Sequence, residues 1–263
     1  MHRLERPKEP DEFDACYEAF VQDYPPANPG RTETRRWEAW KNEYRDVYRA
    51  VLKRLWENQY GLCAFCEVKM TETNRQIEHF IPKCKTTPEH DWTINFGNYT
   101  LACKGNTYRY DETSYSNVPS EEANYSCGHK KGEIDPDGVL CNPYDLPPYP
   151  VVKAEYEEEG LRFVPDDAAC AKAHIAPALI ASTLENLGLN CPNLMRRRKE
   201  VWDELMQKTE EIFSSPDMDE QEQKEELSLL VEDNLQPFHG TLVSFYTTRL
   251  LCIASDLPEL IKG

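Results

Sequence analysis

From Arg35 to Asn58 the apolar residues Trp37, Trp40, Tyr44, Val47, Val51 and Leu55 recur at steps of three and four, the period of an amphipathic helix. At 3.6 residues per turn this predicts one helix of about six turns. The residues before it, 1 to 34, are rich in proline and charge, and Pro25, Pro26 and Pro29 punctuate their end. They read as an arm with at most one short helix around Asp11 to Val21. After residue 58 the helical period disappears. A short apolar run, Ile77 to Ile81, carries Glu78 and His79, and alternation along a strand sends those two side chains to opposite faces. Pro82 ends that strand, and residues 67 to 102 read as a loop, a β-hairpin and an irregular segment. Residues 133 to 167 are broken by IDPDG and NPYDLPPYP, and Val151 to Val164 reads as a second hairpin.

The last hundred residues return to the helical period. Ile175, Leu179, Leu184 and Leu187 line a helix ending at Gly188, and Pro192 opens a second with Leu194, Val201, Leu205 and Ile212. Pro216 opens a third, strongly acidic helix, and Pro237 a fourth with Leu242, Phe245, Leu250 and Ile253. These predict a small helical bundle. The pattern thus divides the chain into an arm at 1–34, a domain with its leading helix at 35–167, and a helical half at 168–263.

A hydrophobic content of 40% in 263 residues suffices for an ordinary core. No apolar run reaches the length of a bilayer span and the charged start MHRLERPKEPDEF has no signal-peptide core, so a cytoplasmic protein without a membrane partner is expected. A net charge of −17 argues against a protein that coats nucleic acid by itself, because that affinity comes from Lys and Arg neutralising phosphates. Two basic patches stand out locally. Arg31 to Arg54 holds eight Lys or Arg against four acids, and Arg196, Arg197, Arg198 and Lys199 run together.

Ten cysteines in a chain this long do not make a secreted disulfide scaffold. Cys63 and Cys66 have the C-x2-C spacing that lets a tight turn present two thiolates to one tetrahedral ion, and Cys103 and Cys127 can supply the other two ligands. Cys16, Cys84, Cys141, Cys170, Cys191 and Cys252 are expected to be reduced thiols. Between Cys103 and Cys127 lies a polar stretch with four tyrosines and no helical period, a surface insertion or a substrate-facing loop.

Cys63, Cys66, Glu78, His79, Asn98, Cys103, Cys127 and Lys131-Gly132 together resemble the cysteine-containing HNH endonucleases, whose pattern runs CxxC, an acid and His, Asn, Cys, and then Cys near Lys-Gly. Asn98 stands five residues before Cys103, as the family's asparagine does before its third cysteine. The flanks, with Arg6-Pro7 and Glu9-Pro10, the wording IEHFIPK and the ending CGHKKG, are similar to the HNH component of Septu-type and retron-linked anti-phage systems, the PtuB-like proteins. The resemblance implies a mainly α protein with a small embedded ββα-metal core holding zinc, followed by a helical C-terminal half.

Phosphodiester hydrolysis needs an activated water, neutralisation of charge on the phosphate, and help for the leaving oxygen. In the family's terms His79 is the base, Asn98 orients the hairpin or the imidazole, and Glu78 holds Mg2+ or a similar divalent ion. His129 is the candidate for the last letter of HNH, although aligning from Lys131-Gly132 puts Gly128 there, one residue earlier. Asn106 is the substitute. The resemblance also implies a PtuA-like ABC or SMC-type ATPase partner, a nucleic-acid substrate, and in retron-linked systems a reverse transcriptase with its ncRNA and msDNA. DNA is the first expectation for the substrate. The alternatives are an HNH-fold ribonuclease cleaving tRNA and a non-catalytic zinc adaptor. The arm and the helical half are the expected docking surfaces.

Overall fold

The computed structural model describes residues 3–27, 32–105, 108–111, 116–119, 121–216 and 218–234. The short N-terminal helix is present as α1, Phe13–Asp23, and it buries Phe13 and Phe20. Both rings meet Trp40 edge-on, at centroid distances of 5.4 and 5.2 Å. The segment is therefore not a free arm. Leu4 also donates its N–H to Pro143 O, and Asn58 Nδ2 donates to Glu5 O.

The long helix expected from Arg35 to Asn58 is two helices, α2 (Glu33–Glu43) and α3 (Arg45–Asn58), meeting at Tyr44. No glycine or proline stands there, so packing sets the turn. Tyr44 stacks on Trp40 at 5.0 Å and meets Phe20 edge-on at 5.6 Å. Thr32 caps α2, its hydroxyl accepting from Arg35 N.

Strand β1 (Arg75–His79) pairs antiparallel with β2 (Tyr99–Cys103), in a register that sets Glu78 opposite Thr100 and His79 opposite Tyr99. A long irregular connection, including a 3-10 turn at Lys83–Lys85, joins them. The polar insertion after Cys103 contains a small hairpin, β3 (Tyr108–Asp111) with β4 (Ser116–Pro119). Then come the five-residue helix α4 (Cys127–Lys131) and the second hairpin, β5 (Val152–Glu157) with β6 (Gly160–Pro165).

Four more helices follow among the described residues: α5 (Asp167–Ala173), α6 (Pro177–Asn186), α7 (Pro192–Ser214) and α8 (Glu220–Asn234). The helix opened by Pro237 lies outside the described residues. Proline stands at the first position of both α6 and α7, where its missing N–H is harmless. Helix α5 was not expected; seven residues are too few to show a period. Helices α6 and α7 rest on β6, so the second hairpin is the floor of the helical half. One apolar cluster runs from Phe13 through Leu205.

Several members of each basic run are engaged by the chain's own groups. Arg36 is 0% exposed and pairs with Asp91 and Glu33, while Lys41, Arg49 and Lys53 each pair with an acid on their own helix. In the second run Arg198 is buried, donating to Leu161 O and Leu189 O with its guanidinium over the Phe163 ring. Arg196 pairs with Glu200, and Lys199 with Asp203. Among the described residues no helix is long and apolar enough to cross a membrane.

Candidate functional site

Cys63 and Cys66 sit in a tight turn. Glu67 N donates back to Cys63 O, Cys63 N donates to Val68 O, and Glu67 takes a left-handed φ of 62° to close it. Ala64 N donates to Leu101 O, which docks the turn on β2. The Sγ atoms of Cys63, Cys66, Cys103 and Cys127 all lie within 4.8 Å of one another. Two of the separations are 3.7 Å (Cys63 to Cys127) and 3.8 Å (Cys66 to Cys103). A tetrahedral zinc with Zn–S bonds of about 2.3 Å has an S···S edge of about 3.8 Å. Backbone N–H groups of Cys103 and Gly105 point at the sulfurs of Cys63 and Cys103.

The group's acid chemistry fits a cation. Burial pushes the Cys63 thiol up, yet hydrogen bonds from the other three sulfurs hold it well below the usual thiol range. Cys66 and Cys127 are pushed well up, first through their contact with Cys103. Without a cation the four cannot all ionise, and with one they can. The four cysteines can therefore hold a metal such as zinc.

Next to this cluster, β1 ends in Glu78 and His79, and both line one cavity of about 720 Å3 with Trp37, Gln76, Lys83, Gly128 and others. His79 is 5% exposed, with Trp37 and Tyr99 edge-on to its ring at 4.6 and 5.1 Å. Its Nε2 lies 2.9 Å from Thr93 O. A carbonyl only accepts, so Nε2 carries the proton and Nδ1 keeps its lone pair. Burial, then the nearby Lys83 charge, lower its pKa to about 3, so the ring is neutral at ordinary pH.

Glu78 faces α4. Lys131, 1% exposed, donates to Glu78 Oε1 at 3.1 Å and to His79 O at 2.9 Å. Burial raises the Glu78 carboxyl above its ordinary value against the pull of that ammonium. Gly128 faces Glu78 directly, and a Cβ built on it would lie 2.3 Å from Glu78 Oε2 and 3.1 Å from Gln76 Nε2. The longer carboxylate and the missing side chain are complementary. Gly128→Ala is expected to push the Glu78 carboxylate aside at a cost of about 1–3 kcal/mol. Thermal unfolding with the thiol-bound metal content unchanged is the check.

The structure does not bring His129 to Glu78. Its ring packs edge-on against Tyr125 at 4.6 Å, and it does not line the cavity. In a helix, residue 129 points about 100° away from residue 128, which holds the place facing the carboxylate. Asn106 lies outside the described residues. The donors that do meet in the space opened by Gly128 are Glu78 Oε2 and the Gln76 side-chain amide, whose oxygen and nitrogen can exchange places. One carboxylate and one amide oxygen suit a hard divalent cation that keeps several waters and takes phosphate oxygens.

Asn98 does not touch the imidazole. Its side chain donates to Ile81 O and Trp92 O and accepts from Ile81 N, fastening the segment after β1 to the one before β2. The imidazole is held by a route that motif reading misses. Arg36 Nη1 donates to Asp91 Oδ1 at 2.9 Å, and the same oxygen accepts from Thr93 N at 2.9 Å and Ile94 N at 3.0 Å. This fixes Thr93 O, which also accepts from Tyr99 Oη at 2.9 Å. Burial pushes Asp91 up, but Arg36 and these backbone donors hold it below the usual carboxylate range. The one sequence signal was Asp91-Trp92-Thr93, an aspartate two residues before its backbone donor.

Compared with known proteins, the chain is 24% identical over 197 residues to an Escherichia coli protein named "Retron Ec83 putative HNH endonuclease", covering 69% of this chain and 74% of the relative. It is also 24% identical over 169 residues to the "Retron Vc95 putative HNH endonuclease" of Vibrio cholerae serotype O1 biovar El Tor, covering 63% and 69%. No family model matches the chain. No solved structure matches it either.

Proposed function

We propose that this chain is a metal-dependent HNH endonuclease that hydrolyses phosphodiester bonds in nucleic acid, with DNA as the first substrate class, in a retron-linked anti-phage system. One observation carries the reading. A closed set of four thiols is built on the same hairpin and short helix that set a neutral, tautomer-fixed histidine and a buried carboxylate at one cavity. Strand β1, strand β2 and helix α4 come in that order along the chain, with the β3–β4 hairpin inserted between β2 and α4. That order supports a ββα-metal unit, with Cys63, Cys66, Cys103 and Cys127 holding a structural zinc. The names of the two relatives support the nuclease activity and the retron context.

In this reading His79 Nδ1 takes the proton from the attacking water while Thr93 O holds the ring by Nε2–H. Glu78, steadied by Lys131, and Gln76 hold a divalent ion, which when bound supplies positive charge to the phosphate and the leaving oxygen. Asn98 positions the segment that follows His79. The four thiolates take no part in the chemistry.

The pairing of Arg36, Lys41, Arg49, Lys53, Arg196 and Lys199 with the chain's own acids supports delivery of the substrate by a partner, for which an ABC or SMC-type ATPase is the proposal. Because α1 is built into the core, the helical half is the better docking surface. The test is to incubate the purified chain with Mg2+ and, in parallel, plasmid or total tRNA. Divalent-dependent nicking of plasmid is the expected result. Cleavage of tRNA alone would move the substrate to RNA, and no cleavage of either in the presence of the ATPase would leave the zinc adaptor as the reading.

A further inference from the structure

The cavity shared by Glu78 and His79 is lined by acids: Glu33, Glu38, Glu78 and Glu133. A phosphate diester entering it needs a cation, and most of those nearby are engaged. Lys41 pairs with Glu38 at 2.7 Å, Arg36 with Glu33 at 3.0 Å, and Lys131 with Glu78 at 3.1 Å. Lys83 also lines the cavity, and among the described residues no carboxylate pairs with its ammonium. Lys85, two residues on, pairs with Asp135 at 2.6 Å and points elsewhere.

Lys83 is also held in place. Pro82 before it fixes the entry into the 3-10 turn, Thr86 N donates to Lys83 O at 3.0 Å, and Ile81 is fastened on both sides of its peptide by Asn98. Its charge reaches both reacting neighbours. After burial it is the next influence lowering His79, and after burial and Lys131 it also lowers Glu78.

We infer that Lys83 anchors the substrate at the cavity mouth, its ammonium gripping a non-bridging oxygen of the phosphate diester beside His79; this rests on the nuclease reading above. It is a substrate-binding group that leaves the proton transfer to His79. An ammonium suits this task because it serves as a point charge with rotatable donors, tolerant of the backbone's varying approach.

The experiment compares the full chain with Lys83→Ala, Lys83→Arg and Lys85→Ala. It uses whichever of plasmid or tRNA the wild type cleaves, and a fluorescent oligonucleotide of that chemistry for binding across a salt series. Lys83→Ala is expected to raise KM about tenfold while kcat falls less, the loss of one charge-assisted hydrogen bond. It should also flatten the slope of log affinity against log salt by about 0.9 on duplex DNA or about 0.7 on single strands, one phosphate contact. Lys83→Arg restores both and Lys85→Ala leaves both as in the wild type. Wild-type KM and salt slope in Lys83→Ala, from a wild type that does cleave, overturn the assignment alone. A wild type that cleaves neither substrate, with the ATPase present, overturns the nuclease reading and the assignment with it.

Discussion

Cys66→Ala is expected to remove the tightly held metal and unfold the part of the chain built around it. The four thiols join three separate pieces: the turn before β1, the end of β2, and the start of α4. Among the described residues no other covalent or ionic link is shared by all three. At such sites binding free energy is folding free energy, on the order of 10 kcal/mol or more for structural zinc, comparable to the whole stability of a domain. Cys66 is the half-buried member of the set, so replacing it leaves little cavity of its own, and the effect measures the metal. Elemental analysis should find about one zinc per chain in the wild type and none in the variant, with a melting transition that is lower or lost. An unchanged melting temperature would falsify the structural role of the cluster.

His79→Ala is expected to lower cleavage by about 100- to 10,000-fold, the range for loss of a positioned general base. Its fold should survive. Thr93 O, which loses the imidazole donor, still accepts from Tyr99 Oη, so no buried acceptor is orphaned. The remaining cost is the gap left between Trp37 and Tyr99. Zinc content and circular dichroism equal to the wild type, together with lost cleavage, are the expected combination. Full cleavage by the variant moves the base elsewhere.

The cysteine spacing made the thiol cluster legible because metal ligands are constrained by short-range geometry, and a C-x2-C turn shows that geometry in four letters. The second hairpin and helices α6 and α7 were legible from period and punctuation, while α8 begins at Glu220, past the proline expected to open it. The break at Tyr44 was not, since the aromatic stripe continues unbroken through both helices and only the packing against Phe20, far back in the chain, decides the turn. Of the bundle expected at the C-terminal half, the described helices α6 and α7 are laid on a hairpin for a related reason: a period shows that a face is buried, not against what. Arg36 read as part of a basic face and is the least exposed arginine of its run, because its partner Asp91 lies 55 residues away. The offset between Gly128 and His129 was visible in the spacing, yet only the position of the Glu78 carboxylate shows why a glycine stands there.

Helix α4 joins two kinds of chemistry within five residues. Cys127 at its first position belongs to the sulfur cluster, Gly128 makes room for Glu78, and Lys131 at its last grips that carboxylate and the carbonyl of His79. A helix of little more than one turn has no stability of its own, so its hold on Glu78 and on the His79 carbonyl is lent by the sulfurs at its other end. In the proposed reading, loss of the ion from the four thiols would loosen the helix, and the pocket would lose its order although none of its own groups had been altered.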